Sequence, residues 1–324
     1  MTSAGDTTEA ALTTPASSAL SGPAVVLDAV HLYPTTMNTY GDRGNVAALP
    51  RRAALRGLSL KWHAVERGDE PPARCDLVFM GGGQDRVQQA LAADLARLRP
   101  WLAAVIADGA VVFAVCAGLQ LLGRRYVAAD GSELAGLGLL DLETLAAKPG
   151  EWRLIGNVVA DVCGLGGLDD GSGGDSTGGG SGTGGGSGTG GGPDDDRLEV
   201  SQTGGDASHL LVGFENHGGR TFLGAARPLG RVRCGFGNNG TDGGEGVRAG
   251  RVIATYLHGP VLPKNAWLTD HLLAEALEHA GGGALAPLPH PREDAAQHEA
   301  VLVAERDAAR RGHRRGAARP EKRR

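Results

Sequence analysis

Two residues of this 324-residue chain combine the right chemistry with a telling setting: Cys116 and His258. Cys116 lies in Ala114-Val115-Cys116-Ala117-Gly118, between the apolar run Val111–Val115 and Leu119-Gln120-Leu121-Leu122. The run reads as a strand buried on both faces, and the residues after it as a helix. A residue at such a turn is held sharply and presented outward, the logic of the nucleophile elbow G-x-S-x-G. A helix start also favours thiolate over thiol. The same pentad fits a structural cysteine in a core strand. His258 ends the apolar stretch 251–257 and precedes Gly259-Pro260, so it falls at the carboxyl end of a predicted strand. Open α/β sheets place their ligand sites there. An ordinary loop position also fits it, since the chain has ten histidines.

A third feature joins them. Gly81-Gly82-Gly83-Gln84-Asp85 follows the strand-like stretch 75–80. Glycines between a strand and a helix leave backbone N–H groups open, to cradle a phosphate or to form half of an oxyanion hole. None of Lys61, Lys148, Lys264 and Lys322 follows a glycine, which excludes a Walker-type phosphate loop. A thiol, a candidate base and two sources of N–H, the Gly82-Gly83 turn and the residue after Cys116, make a site for acyl transfer.

The elements that must position these groups alternate. Strands are predicted over 24–30, 58–65, 75–80 and 110–115, with helices over 46–57, after Asp85, and from Pro100 as a new first turn. Alternation implies a parallel sheet covered by helices on both sides. After Gly136 the strands 153–162, 209–215 and 251–257 have little helix between them and read as antiparallel additions, before a closing amphipathic helix over 265–280. The loop 38–45 is dense in polar groups, which turn chemistry by itself accounts for. The expected organisation is an Ala/Ser/Thr-rich disordered segment 1–23, one domain over 24–283, and a disordered basic tail over 284–324. A flexible insertion, 164–208, contains GGGSGTGGGSGTGGGP and has no capacity for a core.

Composition narrows the class. The net charge of −5 gives no basic field for nucleic acid. Cys75, Cys116, Cys163 and Cys234 form neither a C-x-x-C nor metal-ligand spacing, so no metal is expected and the thiols read as reduced. The first residues lack the pattern of a signal peptide, and no apolar run reaches membrane-spanning length. The expectation is a cytoplasmic protein.

Taken together, the motifs resemble a family. V-C-A-G-L-Q at 115–120 resembles the elbow of class I (triad) glutamine amidotransferases, and M-G-G-G-Q-D at 80–85 their oxyanion strand. M-N-T-Y-G-D-R-G-N at 37–45, R-L-I-G-N-V at 153–158, G-F-E-N-H-G-G-R-T at 213–221 and Y-L-H-G-P at 256–260 are similar to the CobB/CobQ-like branch, and within it to the GatD-type glutaminase subunits of lipid II isoglutaminyl synthases. The resemblance implies a flavodoxin-like three-layer α/β sandwich with a mostly parallel central sheet. It implies that Cys116 attacks the side-chain amide of L-glutamine, with His258 as general base and acid. It implies that Gly83 donates to the oxyanion, and that Gln120 and Arg153 hold the glutamine, the arginine at its α-carboxylate. The ammonia would pass to a MurT-like subunit of the Mur ligase family, which carries ATP and Mg and amidates the D-glutamate of lipid II at the inner face of the membrane. No cofactor is implied in this chain.

Two departures stand out. Ala114 replaces the usual glycine of the elbow, and Pro260 occupies the place of the acid normally found two residues after the histidine. The imidazole then needs a carboxylate from elsewhere: a partner's, or Glu215 in this chain. The rival readings are an amidase for another acceptor such as cobyrinate, a silent scaffold that binds a ligase, and a cysteine hydrolase. For the insertion, replacing 164–208 by a short turn is expected to leave glutaminase activity within a small factor, because loop length costs little closure entropy. A severe loss in that assay would identify the segment as a lid.

Overall fold

The structure, a computed structural model, describes residues 25–128, 130–162, 209–288 and 291–317. The expected segments 1–23 and 164–208 lie outside these residues. The first half alternates as anticipated: β1 (Val26–Leu32), α1 (Arg43–Ala54), β2 (Ser59–Val65), β3 (Leu77–Met80), α2 (Asp85–Asp108), β4 (Val111–Val115) and α3 (Ala117–Leu122). The second half is strand-rich: β5 (Arg125–Val127), β6 (Glu133–Ala135), β7 (Leu142–Ala146), β8 (Leu154–Val162), β9 (His209–His217), β10 (Gly219–Leu223), β11 (Gly230–Cys234), β12 (Gly244–Glu245), β13 (Val247–Ala249) and β14 (Val252–Thr255). Three helices follow: α4 (Val261–Lys264), α5 (Ala266–His279) and α6 (Pro291–Ala317).

The central sheet has the order β13-β14-β4-β3-β1-β2 and is parallel except for β13 at one edge. Every residue of β3, β4 and β14 is buried, as expected for strands covered on both faces. Register decides where the site forms. Met80 pairs with Ala114, and Thr255 pairs with Val115, so three strands end at one level. The glycine turn after β3, Cys116 after β4 and the segment to His258 after β14 therefore leave the sheet side by side. The remaining strands form two smaller sheets, β10-β7-β5-β6, antiparallel except for the parallel β5–β7 pair, and the antiparallel β12-β11-β8-β9, instead of widening the central one. The second of these hooks onto the core through a bridge between Phe214 and His258.

Three expectations need correction. The stretch 251–257, read as an antiparallel addition, forms β14 inside the central sheet, parallel to β4, where its residues are buried on both faces. Pro100 does not start a new helix; it lies inside the continuous 24-residue α2. An interior proline costs about 3 kcal/mol, but Leu91, Leu95, Leu98, Leu102 and Val105 form one buried stripe across it that holds the helix to the core. Nor is 284–324 wholly a disordered tail, because α6 spans 291–317. Val301 and Ala304 are buried against Val159, Val212 and Cys234, with Ala300 and Ala308 alongside. That stripe was masked in the sequence by the surrounding charge. Polar contacts fasten it: Gln297 donates to Leu210 O and Asn265 Oδ1, and Asn157 donates to Asp307.

Ala304→Asp places an unpaired charge between α6 and the sheet, and is expected to destabilise the chain by about 2 kcal/mol or more in chemical denaturation. An unchanged midpoint would show that α6 is not docked in solution.

Candidate active site

Cys116 carries the elbow's strain. Its φ of 51° and ψ of −100° lie where residues with side chains are rare. Its N–H donates to Thr255 O at 2.8 Å, tying the turn to β14. A Cβ at Gly118 would come within 2.8 Å of Met80 O and 3.2 Å of the Ala114 Cβ. Glycine at 118 thus lets α3 lie close on the sheet, and it also leaves room for the methyl of Ala114.

His258 is fully buried beside the thiol. Its backbone exchanges hydrogen bonds with Phe214, at 2.7 and 3.1 Å, which fixes the ring's origin. Its Nδ1 lies 3.5 Å from Oδ1 of Asp42, an ion-pair separation longer than a hydrogen bond, between two side chains without solvent exposure. Burial by itself disfavours the imidazolium; the Asp42 carboxylate and the Cys116 sulfur outweigh it and raise the pKa from 6.5 to about 9.

Asp42 is the residue that sequence reasoning missed. It occupies the N-cap of α1, yet its side chain makes no capping bond, giving up a contact usually worth about 1 kcal/mol. Asn38 instead accepts from Arg43 N–H. The freed carboxylate turns inward: Oδ2 accepts Gly82 N–H at 2.6 Å while Oδ1 faces His258. The signal was the polar loop 38–45, whose composition did not say which group pointed where. A carboxylate of this chain therefore already faces the ring. Glu215 does not serve that role. It accepts Phe236 and Gly237 N–H at 2.8 and 2.9 Å and lies 3.7 Å from His217, while burial pushes its pKa up to about 7.

The glycine turn divides its labour. Gly82 N–H is committed to Asp42, and Gly83 lies next to Ala117 at the open start of α3. A Cβ at Gly83 would pass 3.7 Å from the Ala117 Cβ, so the two backbones are neighbours. A cavity of about 420 Å³ opens over them, lined by Tyr40, Gly83, Cys116, Gln120, Arg153 and Asn216 among others. Its volume suits a small ligand.

Four of the five expected site residues meet at this cavity, and His258 stands behind it. The Gln120 amide is already engaged, accepting from Gln88 at 2.8 Å and donating to the Tyr256 hydroxyl at 3.1 Å. Arg153 donates through Nε to the Asn216 side chain and through Nη2 to its carbonyl. Chemically, this arrangement is suited to acyl transfer through a thiol on a parallel α/β sheet.

Comparison with known proteins narrows that class. Residues 28–266 match the CobB/CobQ-like glutamine amidotransferase domain, and the chain belongs to that family. It is a glutamine amidotransferase. The subunit GatD of the lipid II isoglutaminyl synthase (glutamine-hydrolyzing) of Staphylococcus aureus strain N315 is 34% identical over 254 residues, covering 78% of this chain and 84% of that one. Its counterpart of the same name from Streptococcus pneumoniae strain ATCC BAA-255 / R6 is 33% identical over 258 residues, covering 79% and 82%. A probable cobyric acid synthase from Methanothermobacter thermautotrophicus is 32% identical over 154 residues, covering 46% of this chain and 23% of that protein.

The glycines give a paired prediction. A Cβ at Gly82 would lie 2.7 Å from His258 Cε1, whereas one at Gly83 meets nothing closer than 3.5 Å. Gly82→Ala is expected to lower glutaminase kcat about 100-fold by displacing the imidazole, and Gly83→Ala to stay within about tenfold. Equal kcat for the two variants would contradict this division of the turn.

Proposed function

We propose that this chain is the glutaminase subunit of a lipid II isoglutaminyl synthase. One observation carries the reading: a cysteine, a histidine and an aspartate converge in a chain that aligns with more than four-fifths of two GatD subunits. The match to the cobyric acid synthase covers less than a quarter of that protein, which favours the first acceptor over a cobyrinate-type one.

The chemistry follows from the raised pKa of His258. With His258 held as an imidazolium to about pH 9, the attacking form is the Cys116 thiolate paired with it. Arg153 takes the α-carboxylate of L-glutamine through bidentate hydrogen bonds. The Cys116 sulfur attacks the side-chain amide carbon, and the oxyanion is received by the N–H groups of Gly83 and Ala117. His258 gives its proton to the departing nitrogen, so ammonia leaves and a γ-glutamyl thioester remains. The now neutral imidazole takes a proton from water, whose oxygen attacks the thioester. Glutamate leaves, and the thiolate and imidazolium are restored. Asp42 stabilises the imidazolium and fixes its orientation, the role of the acid in a triad. The ammonia passes to a Mur-ligase-family partner that activates the D-glutamate α-carboxylate of lipid II with ATP, giving D-isoglutamine at the cytoplasmic face of the membrane.

Cys116→Ala is expected to lower glutamine-driven amidation on the order of 10⁴-fold or more. Amidation from free ammonium by the assembled complex is expected to survive, because it bypasses the thiol. Persistent glutamine-driven turnover in this variant would remove Cys116 from the role.

The pH dependence has a definite sign. The folded-state pKa of His258 lies above its ordinary 6.5, so the ion pair's contribution to stability is complete below that value and is lost as pH rises through about 9. Glutaminase kcat/KM is expected to fall over the same alkaline limb as the imidazolium deprotonates. Asp42→Asn is expected to move the limb to lower pH and cut kcat by about 10²- to 10⁴-fold. A wild-type profile in Asp42→Asn would leave the acid's place to another group.

A further inference from the structure

His258 is fully buried and does not line the cavity; Tyr40 does, and its ring also touches the imidazole. The Tyr40 ring meets the imidazole edge-on, with centroids 5.0 Å apart at 70°. The residue is nevertheless about half exposed, and its φ of 54° is strained for a side-chain-bearing residue. Core packing gives no reason to keep a large aromatic in such a conformation. Its polar end does. The Tyr40 hydroxyl oxygen accepts from Asn216 Nδ2 at 2.9 Å, and Asn216 accepts both Nε and Nη2 of Arg153 at 3.1 and 3.0 Å. A continuous line thus runs from the guanidinium at the cavity rim, through Asn216, to the ring over His258.

We propose that Tyr40 is a positioning residue that couples occupation of Arg153 by an α-carboxylate to the closure and orientation of His258. The inference rests on the glutaminase reading above. An α-carboxylate arriving at Arg153 competes with the Asn216 oxygens for the guanidinium donors. Among the described residues, the Tyr40 hydroxyl has one side-chain hydrogen-bond partner, Asn216, so a shift of its amide moves the ring with it. The loop carrying Tyr40 also carries Asp42, and Thr39 in the same loop donates to Gly82 O through both N–H and hydroxyl. Movement of the ring is therefore transmitted to both the acid and the oxyanion turn. The specificity consequence is that a free L-α-amino acid, presenting a carboxylate, sets the base, whereas a simple amide does not.

The experiment uses the full chain and two thiol reagents: a diazoketone analogue of glutamine, which carries the α-carboxylate, and iodoacetamide, which lacks it. Labelling of Cys116 is followed by mass spectrometry across pH in wild type, Tyr40→Phe and Tyr40→Ala. Tyr40→Phe keeps the ring and loses one hydrogen bond, so apparent affinity for the analogue is expected to weaken about two- to tenfold at an unchanged maximal rate. Tyr40→Ala is expected to lower the maximal rate with the analogue about 10- to 100-fold and to shift the alkaline limb, while iodoacetamide labelling stays equal or rises. Tyr40 is exposed, so thermal midpoints should match wild type; if the alanine variant misfolds, the phenylalanine variant decides. Wild-type labelling rates and pH limbs in both variants overturn the coupling and leave the glutaminase reading standing. Failure of the analogue to label wild-type Cys116 overturns the glutaminase reading, and the coupling with it.

Discussion

The structure depends on keeping two ionisable side chains, Asp42 and His258, together with no solvent around them. Burying either charge alone costs several kcal/mol, and removing one member of such a pair typically costs about 3–5 kcal/mol because the other is stranded. The surrounding chain is arranged to prevent that. Gly82 N–H satisfies the oxygen of Asp42 that does not face the ring. Asn45, three residues on, accepts Leu262 N–H at 2.9 Å, and Gly44 sits where any side chain would overlap Pro260. The first turn of α1 is thus clamped to the segment after β14, directly beside the ion pair. Pro260, which excludes an acid two residues after the histidine, is part of the surface against which the actual acid's loop packs.

The smaller sheets extend this support. β9 supplies Phe214, whose backbone fixes His258, and Asn216, whose side chain joins Arg153 to Tyr40. Beneath them a buried chain of hydroxyls and amides runs from Thr144 through Thr221 and Tyr256 to Gln120 and Gln88. It holds Gln120 in place at the cavity wall with both ends of its amide engaged. Glu245, fully buried, accepts from the Thr255 hydroxyl and from Tyr256 N–H, and burial raises its pKa to about 7. These polar groups stiffen the wall of the cavity, since each loses its partner if the wall shifts.

Much of this was legible in the sequence for local physical reasons. Apolar runs ending in glycine or in a small-residue pentad mark buried parallel strands and the turns after them, so β3 and β4 and the strand-end positions of Gly83, Cys116 and His258 followed from pattern, whereas the parallel pairing of β14 with β4 did not. Pro100 and α6 were misread because tertiary burial overrode local preference. One helix carries a proline because its stripe is buried on both sides of it, and the other is a charged segment whose few alanines and valines meet a sheet.

What the sequence by itself determined is the set of strand ends and the chemistry standing on them, since those depend on neighbours in the chain. Which carboxylate faces the histidine was decided only in three dimensions. Asp42, Glu215 and a partner's acid were indistinguishable by spacing, because the distance between a loop after the first strand and a histidine after the last is set by strand order and register. β1 lies two strands from β4 in the sheet, and α1 starts beneath Pro260. That placement turns an aspartate at the N-cap position of α1 toward His258 and turns Glu215, next to Phe214 on the strand that holds the ring, away from it.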